Sequence, residues 1–408
     1  MGRFSLVIPL LALALASGCG QDGAAVPIVV SAPISTEPWI AASIEKGARL
    51  AVEEINDEGG LVVGLEGRRH PLELVVLDNA SSPAQALANA REAVSRGAAT
   101  LITDGTGATA IADVTDRARL TTFIVFEGGA GLIDAARHPS VFRLAPADAI
   151  MTRRLADYIA NAGPKVALLT DDSSYGEQGR AALKEALAID QVEVVSDQVI
   201  PRRATGLAPQ ILQARRAGAD RVVVWARAAN VATVLEDVAT AGWDVPVLSG
   251  QTGEDPLIRQ RLAAHPERLA RLRFVSSRIT AEVGPKPFNA FRERYESLLG
   301  ADKVGVQQDG RDVIQPPDWA MYPYDAIKLV QEAAGQSTGL GAPLLETIND
   351  GAKIIGANGD QRGYNADYHE GVSPTDMYLA RFEGFVFVPV SDDPLSGALP
   401  RVEQLAGK

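Results

Sequence analysis

The turn Gly105-Thr-Gly-Ala-Thr-Ala110 follows a β-branched run and opens a helical one, and Glu127 ends the next apolar run about twenty residues on. That spacing imitates a dinucleotide fingerprint, in which glycines bring backbone N–H groups to a pyrophosphate and an acid reads the ribose. The fingerprint belongs to the first strand–helix turn of a sheet, however, and two such units precede Gly105, so a nicotinamide cofactor is not expected. A hydrolase reading fares worse, because no Ser/His/Asp set pairs from its spacing. His70, His138, His265 and His369 are scattered without metal-ligand intervals and are expected to be solvated or capping residues.

Cys19 is the only cysteine, and it closes a short apolar leader running from Phe4 to Ala16 and ending Ser17-Gly18-Cys19. Arg3, an apolar stretch too short to span a bilayer and small residues before the cysteine fit an export signal cleaved before Cys19, whose thiol then takes a diacylglycerol. The expected leader is 1–18 and the expected tether 19–26, with the protein outside the cytoplasm on a bacterial membrane. With its one cysteine at the anchor, the chain has no internal disulfide and depends on its cores.

Lys+Arg number 39 against Asp+Glu 51, a formal net charge of −12, and there is no long basic run. A nucleic-acid or anionic-membrane surface is therefore not expected. The chain is long enough for two domains, and its 46% apolar content fills them. From residue 28 to about 277, near-continuous apolar runs alternate with amphipathic ones: Ile28 to Ser31, Leu72 to Leu77, Thr100 to Thr103, Thr122 to Phe126, Val166 to Thr170, Val192 to Val199, Val222 to Ala226, Pro246 to Leu248 and Phe274 to Ser276. Strands buried on both faces read this way, so the expected class is α/β, with doubly wound parallel sheets covered by helices. Ser82 is expected to cap a helix with Pro83 in its first turn and Gly97 at its end. The unit changes near Leu144-Ala145-Pro146-Ala147 and again between Ser277 and Pro287, after which helices around 287–299, 320–334 and 343–351 lack strands for a sheet of their own. Residues 377–390 read as a hairpin turning at Glu383-Gly384. The expected division is 27–145 with 278–355, and 146–277 with 356–390, leaving 391–408 as a tail.

Gly47-Ala-Arg-Leu-Ala-Val-Glu-Glu-Ile-Asn-Asp-Glu-Gly-Gly60, Leu74-Val-Val-Leu-Asp78 before Ser82-Pro83, Asp171-Asp-Ser-Ser-Tyr-Gly176 and Ala214-Arg-Arg-Ala-Gly-Ala-Asp220 together resemble the type I periplasmic binding proteins, in particular the branched-chain amino acid and amide group of ABC-transporter receptors. The resemblance covers essentially the whole mature chain. It implies two Rossmann-like lobes joined by three crossings, closing on a small ligand beyond the carboxyl ends of their strands. It also implies a permease and an ATPase as partners, no cofactor and no catalysis; the same fold serves ligand sensing for a kinase or chemoreceptor, and sequence does not separate the two.

Carried over by position, Thr106 and Gly107 would offer donors to a ligand carboxylate or other acceptor, as would the backbone of Glu127, Gly128 and Gly129. Trp39, Trp319 and Tyr322 would wall its apolar part. Tyr175, Arg227 and Thr252 would face them from the second lobe, with Gln251 beside Arg227. Plainer roles stay open: packing for the tryptophans, a structural pair with Glu127 for Arg227, and service to its own lobe for Tyr175. Thr252 stands where amino-acid receptors of this group place a carboxylate for the ligand ammonium. Glu127 opposite Arg227 would suit a zwitterion held in reversed polarity, or a polar ligand of another kind.

Overall fold

The computed structural model describes residues 23–162, 165–277, 286–372 and 377–390. The leader, Cys19 and the tail from 391 lie outside the described residues, as does the crossing expected between Ser277 and Pro287 for its larger part. In chain order the first portion runs β1 (Val26–Ala32), α1 (Pro38–Asp57), β2 (Leu61–Val63), β3 (Arg68–His70), β4 (Leu72–Asp78), α2 (Pro83–Ser95), β5 (Thr100–Thr103), α3 (Ala108–Ala118), β6 (Thr121–Ile124) and β7 (Val141–Arg143). Then follow α4 (Asp148–Ala162), β8 (Lys165–Asp171), α5 (Ser174–Ile189), β9 (Glu193–Ile200), α6 (Ala208–Arg216), β10 (Arg221–Trp225), α7 (Ala228–Thr240), β11 (Val247–Ser249), α8 (Pro256–Arg261) and β12 (Leu272–Ser277). The last portion comprises α9 (Lys286–Leu299), β13 (Asp302–Gln308), β14 (Arg311–Gln315), α10 (Met321–Gln336), α11 (Ala342–Asn349), β15 (Lys353–Ile355), β16 (Gln361–Gly363), β17 (Met377–Glu383) and β18 (Val386–Pro389).

Two sheets organise these elements. The first is parallel throughout, ordered β4-β1-β5-β6-β7. The second is ordered β18-β17-β12-β11-β10-β8-β9, parallel from β12 to β9, with the hairpin β17–β18 added antiparallel at β12. The parallel strands of each sheet thus repeat one winding, in which the second strand lies outside the first and the third begins the opposite direction. That reversal leaves a crevice at the carboxyl ends of the central strands, and in open α/β sheets the crevice is where ligands sit. Residues 28–30 on β1, 166–169 on β8 and 222–225 on β10 are fully buried, which is what continuous apolar strands covered on both faces require.

Local signals set the helix ends as read from sequence. Ser82 accepts from the Gln85 amide at the start of α2, Pro83 takes its first position, and Gly97 follows its end at φ +66°. Gly47 on α1 lies against the Ala320 carbonyl, so the two helices α1 and α10 approach more closely than any side chain there would allow.

Three two-stranded ribbons were not legible as strands: β2–β3, β13–β14 and β15–β16. Two fall in the stretch read as lacking strands, and they redraw the lobe boundaries. Val304, Val306 and Val313 of β13–β14 bury into the core formed by α6, α7, α8 and the second sheet, although 302–315 lie in the segment expected to serve the first lobe. Residues 353–372, expected to be divided at 355, stay together on the first sheet: Arg362 pairs with Asp325 of α10, and Arg143 of β7 is bridged to Glu370. β17 then pairs antiparallel with β12 of the second sheet.

Candidate ligand site between the lobes

Loops from both sheets meet at the carboxyl ends of their strands. After β8, Asp171 accepts from the backbone N–H of Arg227 at 2.9 Å and from the hydroxyl of Ser173, which in turn caps α5 through the Gly176 amide. One carboxylate thereby fixes the starts of α5 and α7. Arg227, at the N-cap of α7, is turned into the cleft rather than outward, and it is 6% exposed.

Its guanidinium crosses between the lobes. Arg227 Nη2 donates to Glu127 Oε1 at 3.1 Å, its Nε lies 3.9 Å from Glu37 Oε1, and its central carbon sits 5.0 Å from the centre of the Tyr175 ring. Tyr175 is stacked on Trp225 at 5.6 Å, which completes a flat support for the cation. Beside it, Gln251 Nε2 donates to the Phe126 carbonyl at 3.3 Å, a second bond from the second lobe to the first. The cleft is therefore closed.

Burial pushes the Glu127 carboxyl up to about 7 against the pull of Arg227, with Asp104 and Asp148 adding to the rise. Burial likewise raises Asp148 to about 7, opposed by Arg143, and Asp255 to about 7, opposed by its backbone bond from Leu257. Glu37 is raised by burial and pulled back by Arg227.

On the apolar side, Phe126 lies 6.3 Å from Trp39 and 5.6 Å from Trp319, and Trp319 lies 5.5 Å from Tyr322. The structure thus gathers Trp39 and Trp319 around Phe126, with Tyr322 against Trp319. Trp39 also lines an outer cleft of about 330 Å³ with Glu37, Asp255, Gln260 and Gln315, at the lips of the two lobes.

Some residues assigned from sequence have other work. Thr106 donates both its amide and its hydroxyl (2.7 Å) to Asp104, so neither is left to meet a ligand carboxylate. Thr252 donates its hydroxyl to the Ala226 carbonyl at 2.8 Å. Gly107 caps α3 in the left-handed region with Pro83 against its α-carbon, and Gly105, at φ +118°, leaves room for Glu127: a Cβ there would stand 2.5 Å from the Glu127 Cβ. The glycines that imitate a fingerprint serve packing. Gly128 and Gly129 lie against Asp148 and Gln178, respectively.

Sequence reasoning missed Glu37, Phe126, Asp148 and Gln178. Asp148, an acid in the first turn of a helix right after the unit change at Pro146, was the readable signal among them. It also passed over Gly335-Gln-Ser-Thr-Gly339, which has the letters of a nucleophile elbow. Ser337 instead closes α10, its hydroxyl on the Gly339 and Ala334 carbonyls, with no strand before it. Each histidine is engaged locally, His369 for instance by the Val141 carbonyl and Asn349. Among the described residues no group of His, Cys, Asp or Glu is arranged to hold a metal ion, and no helix is long and apolar enough to cross a membrane.

Solved structures share this architecture. A type 1 periplasmic binding protein from Bordetella pertussis Tohama I superposes with a TM-score of 0.79 at 16% identity, over 90% of this chain and 100% of its own. The branched-chain amino acid transporter substrate-binding protein of Streptococcus pneumoniae, solved with isoleucine, gives 0.74 at 20% identity over 89% and 97%. A branched-chain amino acid ABC transporter protein from Thermus thermophilus, solved with valine, gives 0.74 at 16% over 92% and 98%. No curated protein matches the chain in sequence. The periplasmic binding protein family profile matches residues 27–384, and with this span the chain belongs to that family.

Proposed function

We propose that the chain is the extracytoplasmic solute-binding lipoprotein of an ABC importer, anchored through Cys19, which captures a small polar or zwitterionic ligand between its lobes and delivers it to a permease. The observation that carries this reading is the buried contact of Arg227 with Glu127 across the cleft at 3.1 Å, set among aromatic walls. Both polar sets are complete only when the lobes meet, so a ligand that bridges them binds the closed state more tightly and shifts the population toward it. Closure then tells the permease that the cargo is aboard. The family membership favours a binding role over catalysis and a place outside the cytoplasm.

A thermal-shift screen of amino acids, amides, carboxylates and amines tests the binding role, since a ligand at 100 times its Kd adds about 2.7 kcal/mol of stability. The best hit should lose its effect in Arg227→Ala and keep it in Arg202→Ala, whose side chain is exposed. Equal binding by Arg227→Ala would move the site elsewhere. The anchor is tested separately: Cys19→Ala should leave the membrane fraction, and retention there would refute lipidation.

A further inference from the structure

The charges in the cleft do not balance. Glu127, Glu37 and Asp104 all act on the guanidinium of Arg227, and Glu127 and Glu37 are its direct neighbours; the only other cation acting on Glu37 is the exposed Arg203. Asp148 adds a fourth carboxylate within range of Glu127. The cation facing Asp148 is Arg143, which is already committed to Glu370 and to the Gly129 carbonyl.

Beside these carboxylates the hydrogen-bond inventory leaves three buried acceptors open. Asp148 is 2% exposed and its Oδ1 has no partner among the described residues; Gln251 is fully buried and its Oε1 has none either. The Gln251 orientation is fixed, because its Nε2 is spent on the Phe126 carbonyl. Gln178 Oε1, lying against Gly129, is a third unpartnered acceptor. Arg227 Nη1, the Tyr175 hydroxyl and Trp225 Nε1 remain as donors on the opposite side. Buried acceptors without donors cost free energy that a donor-rich cation recovers.

We propose that the cleft selects a ligand of net positive charge carrying a protonated amine, the ammonium held by Asp148 and Glu127 and by the Gln178 and Gln251 carbonyls, while Arg227 Nη1 meets an acceptor at the ligand's other end. A neutral zwitterion leaves the carboxylate excess standing. A bound metal ion is disfavoured by the lack of a ligating group among the described residues. The tryptophan, phenylalanine and tyrosine faces lining the cleft suit the methylene chain of such an amine. Burial that holds Glu127 and Asp148 up to about 7 fits the same picture, since an incoming ammonium replaces a proton.

This inference rests on the solute-binding reading and is tested so that the two can fail apart. Isothermal titration of the full mature chain is run with lysine and lysinamide, with norleucine as the lysine analogue lacking the side-chain amine, with glutamate, and with calcium chloride alone. At least one amine should bind about 30-fold or more tighter than norleucine, should release protons at neutral pH, and should weaken about 30-fold or more in Asp148→Asn. Melting of ligand-free Asp148→Asn shows that the variant folds, and Gln178→Glu, which adds a carboxylate at the half-buried position, should hold or strengthen amine binding. Preference for norleucine, glutamate or calcium overturns the inference and leaves solute binding intact, as does an amine bound equally by Asp148→Asn. No heat from any probe at millimolar concentration counts against both.

Discussion

The two sheets wind their parallel strands in the same order, yet the loops at their carboxyl ends differ in chemistry: both carry acids, and the buried cation comes from one of them. The first lobe presents acids, Glu37, Asp104 and Glu127, together with Trp39 and Phe126. The second presents Arg227 on a shelf of Tyr175 and Trp225, with its amide on Asp171, while Gln251 reaches the Phe126 carbonyl and Gln178 lies against Gly129. Winding is set by buried apolar strands and tolerates any polar loop; the loops are free to differ, and their difference makes the closed state depend on both lobes at once. An architecture used twice thus becomes an asymmetric jaw.

Removing the cation that meets Glu127 breaks the asymmetry most severely. Arg227→Ala leaves Glu127 buried without its counter-charge, a loss that typically costs about 3–5 kcal/mol when one partner of a buried pair is deleted. Ligand affinity should fall by about 30-fold or more in a titration. Because Glu127 escapes by taking a proton, the variant's melting deficit should be larger at pH 8 than at pH 5.

The acid side can be probed without mutation. In the folded protein Glu127, Asp148 and Asp255 are held by burial at about 7, above their ordinary values of 4.5, 3.8 and 3.8. A carboxyl whose folded pKa is raised contributes its full stability below the unfolded value, and this contribution is lost as pH climbs through the folded value. Ligand-free protein should therefore melt at a higher temperature at pH 5 than at pH 8, by at least a few degrees. An opposite slope in a calorimetric pH series would mean that these groups remain ionised and solvated. If the ligand is an amine, its affinity should instead rise over the same interval, since the carboxylates that receive it become charged.

Gly105→Ala sharpens the comparison from the first lobe alone. Its φ of +118° and the 2.5 Å approach of a Cβ to Glu127 should cost about 1–3 kcal/mol in melting experiments and displace Glu127 from Arg227, weakening ligand binding. The smallest effect is expected in the second lobe. Ser173→Ala removes the cap of α5 and a bond to Asp171, at about 1 kcal/mol, with a modest loss of affinity because Asp171 still holds the Arg227 amide.

The sequence-level reading succeeded where burial is two-sided. Runs such as Thr100 to Thr103 and Val141 to Arg143 are strands over those same residues, short segments with every side chain buried as in a strand covered on both faces. The ribbons escaped because they are half-exposed: on β13 only Val304 and Val306 alternate into the core, and Gly305 between them interrupts the pairing register. In the site, position at a strand end was enough to bring Arg227, Glu127 and Tyr175 together. Position did not reveal which partner each polar group would choose. Thr106 and Thr252 turn inward to Asp104 and Ala226, neighbours made by loop geometry, while Arg227 meets an acid 100 residues away in the chain. Glu37 and Gln178 join this cluster only through tertiary contacts, which have no local signature.

A double-mutant cycle on Arg227 and Glu127 bears most directly on the account, with Arg227→Gln, Glu127→Gln and the pair measured by titration against the strongest ligand from the screen. If closure couples the lobes through this contact, the two substitutions are non-additive by about 1.5 kcal/mol or more in binding free energy. Additivity to within about 0.5 kcal/mol would show that the ligand does not feel the contact, and the cleft between Arg227 and Glu127 would not be its site.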